Sequence, residues 1–172
     1  MLSAAALMAA GVIVSAAEGL RITPIVHDDW VLVSAELPDG YSDELHAAIA
    51  SGLRTTITYD LELRTIVSRF WLDRTIAAAV VSTSDQYDNL TRRHSLTRIV
   101  DGRVDDTLIT EDEAVARRWL TTLNRLQLCP TLRLDVSRDY YVRIRARTRP
   151  AGGSLLGWAA AVTGQAKFTF LP

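Results

Sequence analysis

Along "RTTITYDLELRTIV", residues 54–67, side chains alternate with a period of two. Thr55, Ile57, Tyr59, Leu61, Leu63 and Val67 fall on one face, and Thr56, Thr58, Asp60, Glu62 and Arg64 on the other. Such alternation predicts a strand of an antiparallel sheet with one face on a core and one in water. Upstream, "LRITPIVHDDWVLVSAEL" carries two apolar runs around Asp28-Asp29, which predicts a hairpin with Val31, Val33, Ala35 and Leu37 turned inward. Downstream, "TIAAAVVSTSDQYD" predicts a long strand ending in a turn at Asn89. "TRRHSLTRIV" predicts a polar strand closed by Asp101-Gly102, and "RVDDTLIT" the strand after it.

Two stretches have helical spacing. In "YSDELHAAIASGL", Ser42 is placed to cap the helix, Asp43 and Glu44 suit its dipole, Leu45, Ile49 and Leu53 share a face, and Gly52 ends it. In "EDEAVARRWLTTLNRL", residues 111–126, Thr110 and Glu113 have capping-box spacing. Val115, Trp119, Leu123 and Leu126 there form an apolar face fit to cover a sheet. Strands at "DYYVRIRARTR" and "GQAKFTFL" finish the chain. The order β-β-α-β-β-β-β-α-β-β defines an α+β fold: antiparallel β-sheet meanders, as a curved sheet or sandwich, with two α-helices packed on them.

Composition narrows the classes. The chain has 172 residues, 48% hydrophobic and 23% charged, enough for a core and without sign of a second domain or repeat. A net charge of -1 gives no global attraction to nucleic acid. After Asp139 there is no carboxylate, while Arg143, Arg145, Arg147, Arg149 and Lys167 follow, so the end of the chain is basic. Lys167 is the only lysine, and so uniform a use of Arg reflects coding preference before chemistry. Residues 1–17, "MLSAAALMAAGVIVSAA", carry no charge and end in a small-x-small pattern. They are read as a signal peptide cleaved after Ala17, leaving residues 18–172 as a single α+β domain; an uncleaved anchor and a buried segment are the alternatives. Cys129 is the only cysteine, so no intramolecular disulfide can form.

Signatures for enzyme chemistry are missing. There is no G-x-S-x-G, P-loop or dinucleotide fingerprint, His27, His46 and His94 lie far apart, and the acids from Asp101 to Glu113 lack calcium-loop spacing. No catalytic residue, metal or cofactor is assigned. On the strand "YYVRIRARTR", Tyr141, Arg143, Arg145, Arg147 and Arg149 share a face, alternate residues about 6.8 Å apart. This row can meet an anionic partner, or pair across strands with Asp60 and Glu62. Leu155, Leu156 and Trp158 in "GGSLLGWAAAV" can touch a membrane or partner if exposed, or plug the core. In "SRFWLDR", Trp71, Asp73 and Arg74 read as a structural junction between strands, with Asp73 holding Arg74 or Arg69; a carboxylate–Arg catalytic site around Asp73 is the alternative.

Taken together, "LPDGYSDELHAAIASGLRTTITYDLELR", "WLDRTIA", "YDNLTRRHSL", "YYVRIRAR" and "GQAKFTFLP" resemble the bacterial family catalogued as domain of unknown function 4390, with Gly52, Trp71, Asp73, Arg74 and Tyr87 among the matching residues. The resemblance implies export and a genetic association with nitrogen-regulation-type membrane sensor kinases, but no chemistry. The expectation is an uncharacterised periplasmic or extracellular protein. It would be a non-enzymatic binding or accessory module for an envelope protein or anionic envelope component, with peripheral membrane contact through Leu155, Leu156 and Trp158. The alternative is a small periplasmic enzyme at Asp73.

Overall fold

The computed structural model describes residues 19–67, 72–136, 138–150 and 161–170. The expected signal peptide, Arg69, Trp71, Leu155, Leu156 and Trp158 lie outside them. The fold is α+β and mostly antiparallel sheet. The strands β1 (Arg21–His27), β2 (Trp30–Glu36), β3 (Thr55–Val67), β4 (Leu72–Asp88), β5 (Arg93–Val100), β6 (Arg103–Thr110), β7 (Thr122–Pro130), β8 (Asp139–Pro150) and β9 (Ala161–Thr169) are joined by α1 (Asp43–Ala50) and α2 (Glu113–Thr121). They form a six-stranded sheet ordered β6-β5-β4-β3-β8-β9 and a three-stranded sheet ordered β1-β2-β7.

Alternation decides which face is covered. Ile57, Tyr59, Leu61 and Leu63 of β3, Val142, Ile144 and Ala146 of β8, and Ala166 and Phe168 of β9 are buried on the inner face of the large sheet. Against that face lie Val31, Val33 and Ala35 of the small sheet, Leu45 and Ile49 of α1, and Leu120 of α2, making one continuous core. Each fully buried Leu, Ile or Val contributes about 1.5–3 kcal/mol relative to exposure. Gly164 marks the closest approach: a Cβ there would stand 3.1 Å from the Leu20 carbonyl oxygen, so the chain entering β1 crosses β9 where no side chain intervenes.

Turns and caps follow local chemistry. Asp28 and Asp29 take positive φ of 47° and 62°, the backbone of a tight hairpin turn. Ser42 accepts from the Leu45 amide and caps α1 as expected. Gly52, at φ 84°, ends the helix, and Leu53 lies beyond it and is exposed instead of inward.

The second helix differs from its sequence reading. Its cap is Asp112, whose Oδ1 accepts from the Ala114 and Val115 amides, while Thr110 Oγ1 accepts from the Asp112 amide. It stops at Thr121, and Thr122–Pro130 is a strand on β2. Cys129 therefore sits on a strand, wholly buried. Helix and strand are contiguous, and the orphan carbonyls of the last turn are taken from outside the helical ladder. Thr121 Oγ1 donates to Arg117 O at 2.8 Å and the Leu37 amide to Thr121 O at 2.9 Å. Leu120 O accepts from Tyr59 Oη at 2.7 Å and from Thr83 Oγ1 at 3.1 Å. Nearby, the inward Arg98 of β5 lies under the Trp119 ring, 4.5 Å from its centroid.

Tyr59→Phe keeps the shape and removes one of the two donors to Leu120 O. We expect a loss of about 1–2 kcal/mol, because the buried carbonyl keeps only the Thr83 bond. Adding Thr83→Val should cost more than the sum of the two single changes; urea denaturation of both single variants and the double variant measures the coupling.

Candidate functional site

Two surfaces carry chemistry. The first is the outer face of the large sheet, where the strand register brings the Arg row of β8 beside β3: Glu62 faces Arg143, Asp60 faces Arg145, and Arg64 faces Tyr141. Arg143 Nη2 reaches Glu62 Oε2 at 2.5 Å, and Arg147 Nη2 reaches Asp60 Oδ2 at 2.7 Å, one step along the diagonal. Arg64 adds a bond to Glu62 at 3.3 Å. Arg145 is exposed and, among the described residues, has no carboxylate within ion-pair distance. Arg149 is also exposed.

Tyr141 belongs to the same row but is buried, with its hydroxyl donating to Asp73 Oδ2. Burial first, and then this bond to a carboxylate, push its phenol above the ordinary value. Asp73 and Arg74 are adjacent on β4, so their side chains leave opposite faces and Asp73 is held by Tyr141, not by Arg74. Asp73 is exposed, and Arg64 Nη2 donates to its backbone carbonyl at 3.4 Å. A groove of about 660 Å³ runs across this face, lined by Asp60, Glu62, Ala78, Val80, Arg143, Arg145, Ala161 and Thr163.

The second surface was not singled out in the sequence. At the end of the inner face, between α1, the β4–β5 hairpin and the start of α2, lies a pocket of about 220 Å³ lined by Tyr41, His46, Ile49, Ala50, Tyr87, His94, Glu111 and Glu113. Behind it Asp85 is fully buried, and its Oδ2 lies 2.8 Å from His94 Nδ1. Asp85 Oδ1 is buried without a hydrogen-bond partner. Burial pushes the Asp85 carboxyl above the ordinary range, and the bond and charge of His94 oppose that rise. The His94 side chain is 7% exposed, and its ring centroid lies 4.7 Å from that of Tyr87 with the planes tilted by 45°.

At the rim, Glu113 Oε1 accepts from Tyr41 Oη at 3.5 Å and lies 3.2 Å from His46 Nε2. Glu111 is held by Arg93 at 3.0 Å. Burial, followed by the charges of Glu113 and Asp85, pushes the Tyr41 phenol up to about 12, with Arg117 pulling the other way. A signal for this site was present in the sequence: with the turn at Asn89, Asp85 and His94 both fall on the apolar phase of their strands, where a charged side chain needs a partner. No group of three or more metal-ligating side chains occurs among the described residues, nor does a helix long and apolar enough to cross a membrane.

An antiparallel α+β protein with a charged outer sheet face and a buried acid–imidazole pair is the class this geometry defines. The model of the family described as Domain of unknown function (DUF4390) matches residues 16–151, and the chain belongs to that family. No curated protein and no solved structure matches it.

Because the folded-state pKa of Asp85 is raised, the folded protein holds that proton more firmly than the unfolded chain between the two values. Its stabilising contribution is complete below the ordinary aspartate range and is lost as pH rises through the raised value. Asp85→Asn, which keeps an acceptor for His94, should remove this component. Denaturation from pH 3 upward should show wild-type stability falling relative to the variant as pH rises; parallel curves would mean that Asp85 does not titrate abnormally.

Proposed function

We propose that this protein is a non-enzymatic binding module, exported to the bacterial envelope, which takes an anionic partner on the outer face of its large sheet. The observation that supports this reading is the charge balance of that face. On β3 and β8, Arg64, Arg143, Arg145, Arg147 and Arg149 stand against Asp60, Glu62 and Asp139, five cations to three anions, with Lys167 of β9 and Asp73 and Asp88 of β4 flanking them on the same face. Arg143 and Arg147 have their carboxylates, whereas Arg145, between Asp60 and Thr163 in the register, lines the groove without an ion pair among the described residues. A planar guanidinium on a rigid strand suits bidentate contact with a carboxylate or phosphate. The genetic association that the family resemblance implies suits an accessory role beside a membrane sensor.

The test spares the paired arginines, whose loss would strand Asp60 and Glu62. Arg145→Glu with Arg149→Glu should abolish recovery of partners cross-linked in native envelopes, with thermal stability within a few degrees of the parent. Binding by the parent should weaken steeply with added salt. Identical partners captured by the folded charge-reversed protein would reject the outer face as the binding surface.

A further inference from the structure

We propose that the pocket between α1, the β4–β5 hairpin and α2 is a second binding site, for a small primary amine in its ammonium form carrying a short apolar body. Its walls are complementary to such a molecule. Ile49 and Ala50 of α1 supply an apolar side, and Tyr41 and Tyr87 supply aromatic rings, whose faces attract cations. The polar groups favour a donor. Glu113 offers a carboxylate at the rim that, among the described residues, meets only Tyr41 at 3.5 Å and His46 at 3.2 Å. His94 lines the pocket with Nδ1 committed to Asp85, and its Nε2 has no hydrogen bond among the described residues. In the tautomer in which Nδ1 donates to Asp85, Nε2 is left as an acceptor, held in position by that bond.

The electrostatics select the same sign. Glu111 and Glu113 line the pocket and Asp85 stands behind His94, against Arg93 on Glu111 and Arg117 beyond the Tyr41 ring, 5.5 Å from its centroid. At the Tyr41 hydroxyl, whose phenol is raised first by burial, the charges of Glu113 and Asp85 act against that of Arg117. A carboxylate or phosphate ligand would meet the carboxylates of Glu111 and Glu113 in the pocket wall; an ammonium group placed between Glu113 and His94 Nε2 gains charge-assisted hydrogen bonds from both. The volume of about 220 Å³ limits the occupant to a small molecule. The site is independent of the outer sheet face, and either can fail without the other.

The probe is n-butylammonium, with n-butanol and butyrate as neutral and anionic matches of similar shape, titrated into the full-length protein and followed by calorimetry and by the NMR signals of Ile49 and Ala50. Butylammonium should bind and shift those signals, with butanol and butyrate weaker by about tenfold or more. Glu113→Gln, an exposed and shape-conserving change, should weaken the amine by about tenfold, and Arg145→Glu on the far face should leave it unchanged. Equal binding of butanol, tighter binding of butyrate, no binding of butylammonium, or full affinity in folded Glu113→Gln would each overturn the assignment.

Discussion

The carbonyl of Leu120 is the point on which the two layers of this protein depend. It lies where α2 must stop and β7 must begin, with no loop between them, and a helical partner for it no longer exists. Tyr59 from β3 and Thr83 from β4 supply the missing donors out of the large sheet, and both are fully buried. Those two bonds let a helix lying on the sheet turn directly into a strand of the smaller one. The small sheet gains its third strand there, because β7 completes β2 along the edge that β1 does not use.

Period-two alternation made most of the large sheet legible. From Thr55 to Leu63 one face is core and the other wet, and the same parity placed the Arg row of β8 on the water side, with Asp60 and Glu62 within reach. The boundary between α2 and β7 was not legible, because Val115, Trp119, Leu123 and Leu126 keep helical spacing through it. What ends the helix is the supply of tertiary donors to its last carbonyls, and sequence spacing does not contain that. Helix propensity was overridden by the need of β2 for a partner strand. The site at His94 was hidden for a related reason: Asp85 and His94 meet only through the exact register of β4 on β5, where Tyr87 faces His94 and Asp85 faces Leu96.

Charge is handled in two ways on the two faces of one sheet. Outside, ion pairs at Glu62 and Asp60 are half-exposed, and exposed pairs of this kind are worth about 0–1 kcal/mol each. They arrange the guanidinium groups more than they stabilise the fold. Inside, Asp85 has no contact with water and depends on His94, so losing either member would leave an unmatched polar group in the core. A surface that can exchange partners and an interior pair that cannot are separated by the thickness of one strand layer.

The uninterrupted passage from α2 into β7 also makes a lever. Glu113 stands at the far end of a rigid helix whose other end is fused to the small sheet and clamped at Leu120. Without a loop to absorb motion at that end, a swing of the α2 backbone as a rigid body is a rotation about that clamp, and it is felt at β2 and at the Leu37 amide hydrogen-bonded to Thr121.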